Sequence, residues 1–137
     1  MRLVIDSNEY IFAFGPIKKS VPALFLDKVL ASVPLHSIHI PRTVFIEVRR
    51  NLSPIAFGEF FAFLSELTVI DEDFLVPYDI DVKYERMGLK MADAFIAAYA
   101  EWVGADALVT ENRHFLSKNP SLPFKVLSAE KCLKLIS

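Results

Sequence analysis

The stretch 91–112, with the sequence MADAFIAAYAEWVGADALVTEN, decides the fold of this chain. Residues 91–102 are apolar nearly all round, apart from the two acids Asp93 and Glu101, and this pattern predicts a deeply buried helix. Residues 107–110 then predict a short buried strand. Because the helix leads directly into the strand and should pack antiparallel to it, we expect its first turn to lie level with the carboxyl end of the strand.

The same alternation of strands and helices extends outward from this stretch in both directions. Short apolar runs predict further strands at residues 3–5, 37–40, 69–70 and 125–127. Proline, glycine and serine positions between these runs mark the beginnings and ends of helices. Strands that alternate with helices form right-handed crossovers. We therefore expect one α/β domain over residues 1–137, with a mostly parallel sheet covered by helices on both faces.

Composition narrows the class of protein. The chain has 137 residues and a formal net charge of −2, so no global basic field is available for non-specific capture of nucleic acid. The single cysteine, Cys132, excludes an internal disulfide and fits a reducing compartment. The longest stretch without acidic or basic residues, 29–41, contains two prolines and is shorter than the roughly 18 apolar residues of a membrane span. A cytoplasmic location is expected.

Four polar residues end an apolar segment or interrupt an apolar helix: Asp6, Glu47, Asp93 and Asn112. Asp6 directly follows the first predicted strand, and Asn112 lies two positions after the end of the strand predicted at 107–110. Glu47 lies about two turns into the helix that leaves the second strand, and Asp93 lies in the first turn of the buried helix. Because the carboxyl ends of parallel strands share one edge of the sheet, we expect all four side chains to converge there.

Three carboxylates at one place predict a cation. Carboxylates that are drawn together raise one another's pKa unless a positive charge compensates them. A site made of oxygen ligands, without cysteine and without a suitably placed histidine, favours Mg²⁺ or Mn²⁺ over zinc. Such a site, open on one side, suits the hydrolysis of phosphodiester bonds by activated water.

Each of the four residues also has a simpler interpretation. Asp6 could act as the N-cap of the helix after the first strand. Glu47 could form an i,i+3 ion pair with Arg50 on a solvated face. Asp93 could interact with the helix dipole alone, and Asn112 could cap the next helical turn.

Three segments together resemble the PIN-domain family, in particular its small members similar to the VapC toxins of toxin-antitoxin pairs. These segments are LVIDSN at residues 3–8, TVFIEVRRNL at 43–52 and KMADAFIAAYAEWVGADALVTENRHFL at 90–116. The resemblance implies a Rossmann-like α/β/α sandwich and an RNA-cleaving enzyme that depends on Mg²⁺ or Mn²⁺. It further implies a homodimer and a small antitoxin protein as partner.

Carried over residue by residue, the resemblance assigns the metal and catalytic positions to the four residues at the sheet edge. One position departs from the family pattern, because Asn112 stands where an Asp is usual, and His114 stands where an acid is frequent. An amide adds no charge, so weaker metal binding is expected, and Glu111 is a candidate substitute. The main hypothesis is a metal-dependent endoribonuclease. The alternative is a weakly active or inactive PIN domain that binds RNA or another protein.

Neighbours of the four residues are candidates for supporting roles. Ser7 and Glu111 are adjacent in sequence to proposed ligands, and Thr110 lies two positions before Asn112. All three are candidates to contact those ligands, and Glu111 is also the candidate to replace Asn112. Arg113 and His114 are the candidates for contacts with RNA phosphates.

Overall fold

The computed structural model describes residues 1–32, 34–65, 68–112, 115 and 122–137. The strands in these ranges are β1 (Arg2–Ile5), β2 (Ser37–Pro41), β3 (Thr68–Asp71), β4 (Ala107–Val109) and β5 (Lys125–Leu127). The α-helices are α1 (Ser7–Phe14), α2 (Ser20–Ala31), α3 (Arg42–Arg50), α4 (Pro54–Leu64), α5 (Tyr78–Arg86), α6 (Met91–Trp102) and α7 (Ala129–Ile136). A 3-10 helix, which the sequence did not predict, spans Asp73–Leu75.

The strands form one sheet in the order β3-β2-β1-β4-β5, and each described strand pair is parallel. At the centre, Leu3 of β1 pairs with Ile38 on one side and Ala107 on the other. The side chains of β1 after Arg2 are fully buried on both faces of the sheet, as expected for an apolar run in a parallel sheet. The predicted mostly parallel sheet is confirmed.

The helices cover the sheet as the sequence predicted, and the α/β/α sandwich is confirmed. Helix α1 packs against α2, α3 and α4, and α2 packs against α7, whereas α5 packs against α6. Among the described residues the longest helices have 12 residues, and none is both long and apolar enough to cross a membrane.

Local capping signals account for several helix boundaries. The Ser53 hydroxyl accepts a hydrogen bond from the Ala56 amide at the start of α4, and Ser128 does the same for Lys131 in α7. Gly104 follows α6 with a φ of 69°, a left-handed conformation that a residue with a Cβ rarely adopts. These are among the serine and glycine positions at which the sequence analysis places helix beginnings and ends.

The strand order also explains where a site can form. The chain builds β2 and β3 on one side of β1 and then crosses to build β4 and β5 on the other side. The connections that leave β1 and β4 therefore run in different directions. This divergence opens a crevice at their carboxyl ends, which is the usual ligand position in open parallel sheets.

Candidate active site

A cleft of about 790 Å³ lies at this crevice. Its polar lining includes all four residues that the sequence predicted for the site, which are Asp6, Glu47, Asp93 and Asn112. Two more acids, Asp81 and Glu111, also line it. Apolar side chains, among them Val44, Met91 and Phe95, complete its walls. The structure thus brings the four predicted residues to one place, from four separate segments of the chain.

Asp6 connects the end of β1 to the start of α1. It is the N-cap of α1, and its carboxylate accepts hydrogen bonds from the Ser7 amide at 2.8 Å and from the Thr110 hydroxyl at 2.8 Å. Burial raises the pKa of Asp6, the two hydrogen bonds oppose this shift, and repulsion from Glu47 and Asp93 adds to it. The capping role and the place in the cleft are therefore compatible.

Asn112 and Asp93 are in direct contact. The Asn112 side-chain amide donates to Oδ2 of Asp93 at 3.1 Å, and the Asn112 backbone amide donates to the Thr110 hydroxyl at 3.0 Å. The contact joins the segment after β4 to the first turn of α6, so the predicted antiparallel packing of this helix against β4 is confirmed. An aspartate at position 112 would instead face Asp93 with a second negative charge.

Glu47 is exposed on α3 and faces the cleft. The alternative ion pair between Glu47 and Arg50 is not formed within the described part of the chain. Asp73, which lies in the 3-10 helix, stabilises the start of α3. Its carboxylate accepts hydrogen bonds from the amide and the hydroxyl of Thr43. Sequence reasoning missed this contact, since the two residues are 30 positions apart.

Glu111 lies in the cleft wall, and its Oε2 accepts a hydrogen bond from the Ala129 amide at 2.9 Å, at the start of α7. It meets Glu9, a fully buried acid in the first turn of α1 that the sequence analysis missed. Burial and the nearby carboxyl groups of Glu111 and Asp6 raise the pKa of Glu9 to about 9, against a smaller opposite effect of Lys19. An acid followed directly by the apolar run YIFAF was the available signal.

Asp81 of α5 is a second acid that sequence reasoning did not single out. It lines the cleft, and its Oδ1 is buried without a hydrogen-bond partner among the described residues. The sequence around it alternates acids with apolar residues, and nothing in that pattern separates Asp81 from Asp79.

The remaining predicted residues divide into two groups. Ser7 is buried, with its hydroxyl 3.5 Å from Oδ1 of Asp6, and Thr110 is fully buried and bonded to Asp6, so both contact a predicted ligand as expected. Arg113 and His114, the predicted RNA-phosphate contacts, lie outside the described residues.

The donor chemistry of the cleft suits a hard divalent cation. Its polar lining consists of carboxylate, amide and hydroxyl oxygens, and the unpartnered Oδ1 of Asp81 is an oxygen that a cation nearby would stabilise. Within the described ranges, however, no group of three or more histidine, cysteine or acidic side chains lies close enough together to hold a metal ion. The cleft supplies suitable ligands without a preformed coordination shell.

Several solved structures share this fold. A chain of VapBC2 from Rickettsia felis, bound to a DNA fragment from their promoter, aligns with a TM-score of 0.65 at 19% identity, over 93% of this chain and 98% of that one. A chain of FitAcB from Neisseria gonorrhoeae aligns with a TM-score of 0.61 at 15% identity, over 93% of this chain and 98% of that one. VapC20 from Mycobacterium tuberculosis, a toxin that cleaves the sarcin-ricin loop, aligns with a TM-score of 0.56 at 15% identity, over 88% of this chain and 99% of that one.

No protein-family model and no curated protein sequence matches the chain. The structural likeness covers nearly the full length of each relative at low identity, and it therefore bears on the fold. The fold of this chain is that of the VapC-type PIN domains, as its sequence motifs predicted.

Proposed function

We propose that this protein is an endoribonuclease that depends on Mg²⁺ or Mn²⁺ and hydrolyses RNA phosphodiester bonds as a single domain. One observation carries the proposal: Asp6, Glu47, Asp93 and Asn112 come from four separate segments and line one cleft at the carboxyl edge of a PIN-like sheet. A fold alone does not imply an activity, so the weight rests on these side chains and their chemistry.

In this proposal Asp6, Glu47 and Asp93 hold the cation, and Asn112 completes the site through its amide oxygen or orients a bound water. A divalent cation in such a site activates water and stabilises the negative charge that develops on the scissile phosphate. The chain's own contribution is to hold these oxygens in place. Thr110 does so for Asp6, through the hydrogen bond from its hydroxyl.

The cleft is also large enough for more than a cation. Its volume of about 790 Å³ and its apolar wall around Val44 and Phe95 provide room for part of a nucleotide beside the acids. Arg113 and His114 remain our candidates for RNA-phosphate contacts, since they follow Asn112 directly in sequence.

Cleavage of a mixed RNA pool tests the proposal. Purified wild type is compared with Asp6→Asn and Asn112→Asp in Mn²⁺, in Mg²⁺ and in EDTA, with Glu59→Gln at an exposed position of α4 as the control. We expect wild type and the control to cleave RNA in Mn²⁺ or Mg²⁺, and we expect EDTA or Asp6→Asn to abolish cleavage. Cleavage that persists in EDTA would contradict the proposal.

A second candidate function is an RNA-binding or protein-interaction module without catalysis. It is favoured by the hydrogen bond from Asn112 to Asp93, which satisfies the acid without a cation, and by the absence of a preformed metal cluster in the described ranges. Cleavage by Asn112→Asp together with no cleavage by wild type would support this second function.

We also propose a toxin role with a small antitoxin as partner, in a cytoplasmic homodimer. Support comes from the VapBC2 structure, since this chain has the fold of one of its chains, and from exposed apolar side chains such as Ile55, Phe61 and Phe74. Co-expression with the product of a small neighbouring open reading frame should yield a stable complex that no longer cleaves RNA. Light scattering of the purified chain at two concentrations tests the homodimer.

A further inference from the structure

Three consecutive acids, Asp71, Glu72 and Asp73, lie where β3 ends and the 3-10 helix begins. We call them the acidic segment. Each of them has a partner on a helix that lines the cleft, one on α6 and two on α3. The contacts of the segment therefore connect the two helices that carry Glu47 and Asp93.

The contact with α6 is a short hydrogen bond. Tyr99 is fully buried on this helix, and its hydroxyl donates to Oδ2 of Asp71 at 2.6 Å. His39 of β2 approaches the same oxygen only to 3.8 Å, which is beyond hydrogen-bond distance. Hydrogen bonds to carboxylates are stronger than those between neutral groups. Because Tyr99 lies less than two turns after Asp93, this bond fixes the helix that carries Asp93 against the end of β3.

The contacts with α3 lie at the first turn of that helix. Thr43 donates twice to Asp73, from its amide at 3.1 Å and from its hydroxyl. Backbone amides in a first turn have no partner within their own helix, so this carboxylate supplies one. Arg42 pairs with Glu72 at 3.2 Å beside it. Thr43 and Glu47 are four positions apart on one face of α3, and both line the cleft, so these contacts fix the face that carries Glu47.

We propose that the acidic segment couples α3 to α6 and thereby sets the distance between Glu47 and Asp93 across the cleft. The two helices pack against different neighbours, α3 against α1 and α6 against α5. The connection through the segment is short and regular, because Asp71 belongs to a paired strand and Asp73 to the 3-10 helix that follows. Asp71, Asp73 and Tyr99 are therefore positioning residues, which act on the cleft through the helices that they contact.

Amide exchange measured by NMR in EDTA tests the coupling without a metal ion. The reporter is the Thr43 amide, which donates to Asp73 and lies outside the contact made by Tyr99. Asp73→Ala removes the acceptor and defines the full loss of protection. Tyr84→Phe is the matched control for Tyr99→Phe, since it also removes a buried tyrosine hydroxyl from an acid, Glu101. We expect Tyr99→Phe to lower the protection of the Thr43 amide by roughly 2- to 10-fold and Tyr84→Phe to leave it unchanged.

Two results would overturn the coupling. Wild-type protection of the Thr43 amide in Tyr99→Phe would show that the contacts on the two helices are independent. An equal loss in Tyr84→Phe would assign the effect to general destabilisation. Should Tyr99→Phe fail to fold, Asp71→Ala removes the acceptor of the same hydrogen bond at a partly exposed position. The same decrease is then expected, and unchanged protection would again overturn the coupling.

The consequence for the cleft rests on the proposed function. Calorimetry should show Mn²⁺ binding that is weaker by roughly 2- to 30-fold in Tyr99→Phe, the range found for residues that couple separate sites, and wild-type affinity in Tyr84→Phe. Wild-type affinity in Tyr99→Phe would show that the acidic segment does not position the two acids. A wild type that binds no Mn²⁺ would count against the proposed function, whereas the exchange data would still decide the coupling between the helices.

Discussion

The two ends of α6 each carry an acid, and the two acids have different surroundings. Near the carboxyl end, Glu101 accepts hydrogen bonds from Lys83 at 2.5 Å and from the Tyr84 hydroxyl at 2.8 Å. Burial acts to raise the pKa of Glu101, but these donors outweigh it and leave the pKa lowered. In the first turn, Asp93 meets the Asn112 amide at 3.1 Å in the wall of the cleft.

This difference separates an acid that serves the fold from one that can serve a ligand. Glu101 pairs with the Lys83 ammonium group and accepts a hydrogen bond from the Tyr84 hydroxyl, both on α5. Its charge therefore stabilises the contact between α5 and α6. Asp93 receives a neutral amide and faces a cleft whose other acids include Asp6 and Glu47. Substitutions at the two ends should therefore give different patterns of loss.

The largest effect is expected at Asp93. Asp93→Asn removes one of the charges that we propose to hold the cation, so Mn²⁺ affinity and RNA cleavage should fall by on the order of a hundredfold or more. Calorimetry with Mn²⁺ and the cleavage assay measure both quantities. Glu101→Gln is the matched variant at the other end of the same helix and should keep the wild-type affinity. An equal loss in the two variants would remove the distinction between the ends.

The pH dependence of stability should have opposite signs for Glu9 and Glu101. The pKa of Glu9 is raised, from 4.5 to about 9, so its contribution to stability is fully present below pH 4.5 and is lost as the pH rises through about 9. Between these two pH values, the contribution of Glu9 to the free energy of unfolding should change by about −1.4 kcal/mol per pH unit. The pKa of Glu101 is lowered, so its contribution is present above its unfolded pKa and is lost as the pH falls.

Urea unfolding in EDTA at pH 5, 6, 7 and 8 measures this slope for wild type and Glu9→Gln. Because Gln does not titrate, the difference in unfolding free energy between the two proteins should move steadily in favour of Glu9→Gln as the pH rises. A difference that stays constant over this range would show that Glu9 keeps the same charge state in the folded and unfolded chains.

A smaller change is expected for Asn112→Asp. This substitution replaces the amide donor to Asp93 with a like charge, so the metal-free protein should lose about 1–2 kcal/mol of stability. The same substitution adds a carboxylate to the cleft, and Mn²⁺ should bind more tightly and restore the lost stability. Urea unfolding with EDTA and with Mn²⁺ measures the loss of stability and its recovery, and Glu59→Gln at an exposed position of α4 serves as the control. Equal stability in EDTA would argue against the contact between Asn112 and Asp93.

The smallest change is expected for Glu101→Gln. Its partner Lys83 is half-exposed, and exposed ion pairs contribute little, so the loss in unfolding free energy should stay below about 1 kcal/mol. The Gln oxygen can still accept from the Tyr84 hydroxyl. Thermal unfolding measures the effect, and a loss of several kcal/mol would mean that the pair is far more important to the fold than its exposure indicates.

Local sequence patterns were enough to predict most of the secondary structure and part of the candidate site. Alternating apolar runs and helix boundaries predicted the described strands and α-helices, with Asp6, Asp93 and Asn112 at the ends of elements where a parallel sheet places its site. This succeeds because periodicity, capping and strand ends are properties of neighbouring residues, and because right-handed crossovers leave few ways to connect them.

The tertiary structure decided which of these residues touch and which further acids join them. Asp73 reaches Thr43 across 30 positions, Asp81 enters the cleft from α5, and Glu9 is buried near Glu111 of the cleft wall. No local pattern marks such pairs, since they depend on the strand order and on how the helices pack across the sheet. Hydrogen bonds and the burial of charge are set by distances between segments far apart in sequence, and these distances exist only once the chain has folded.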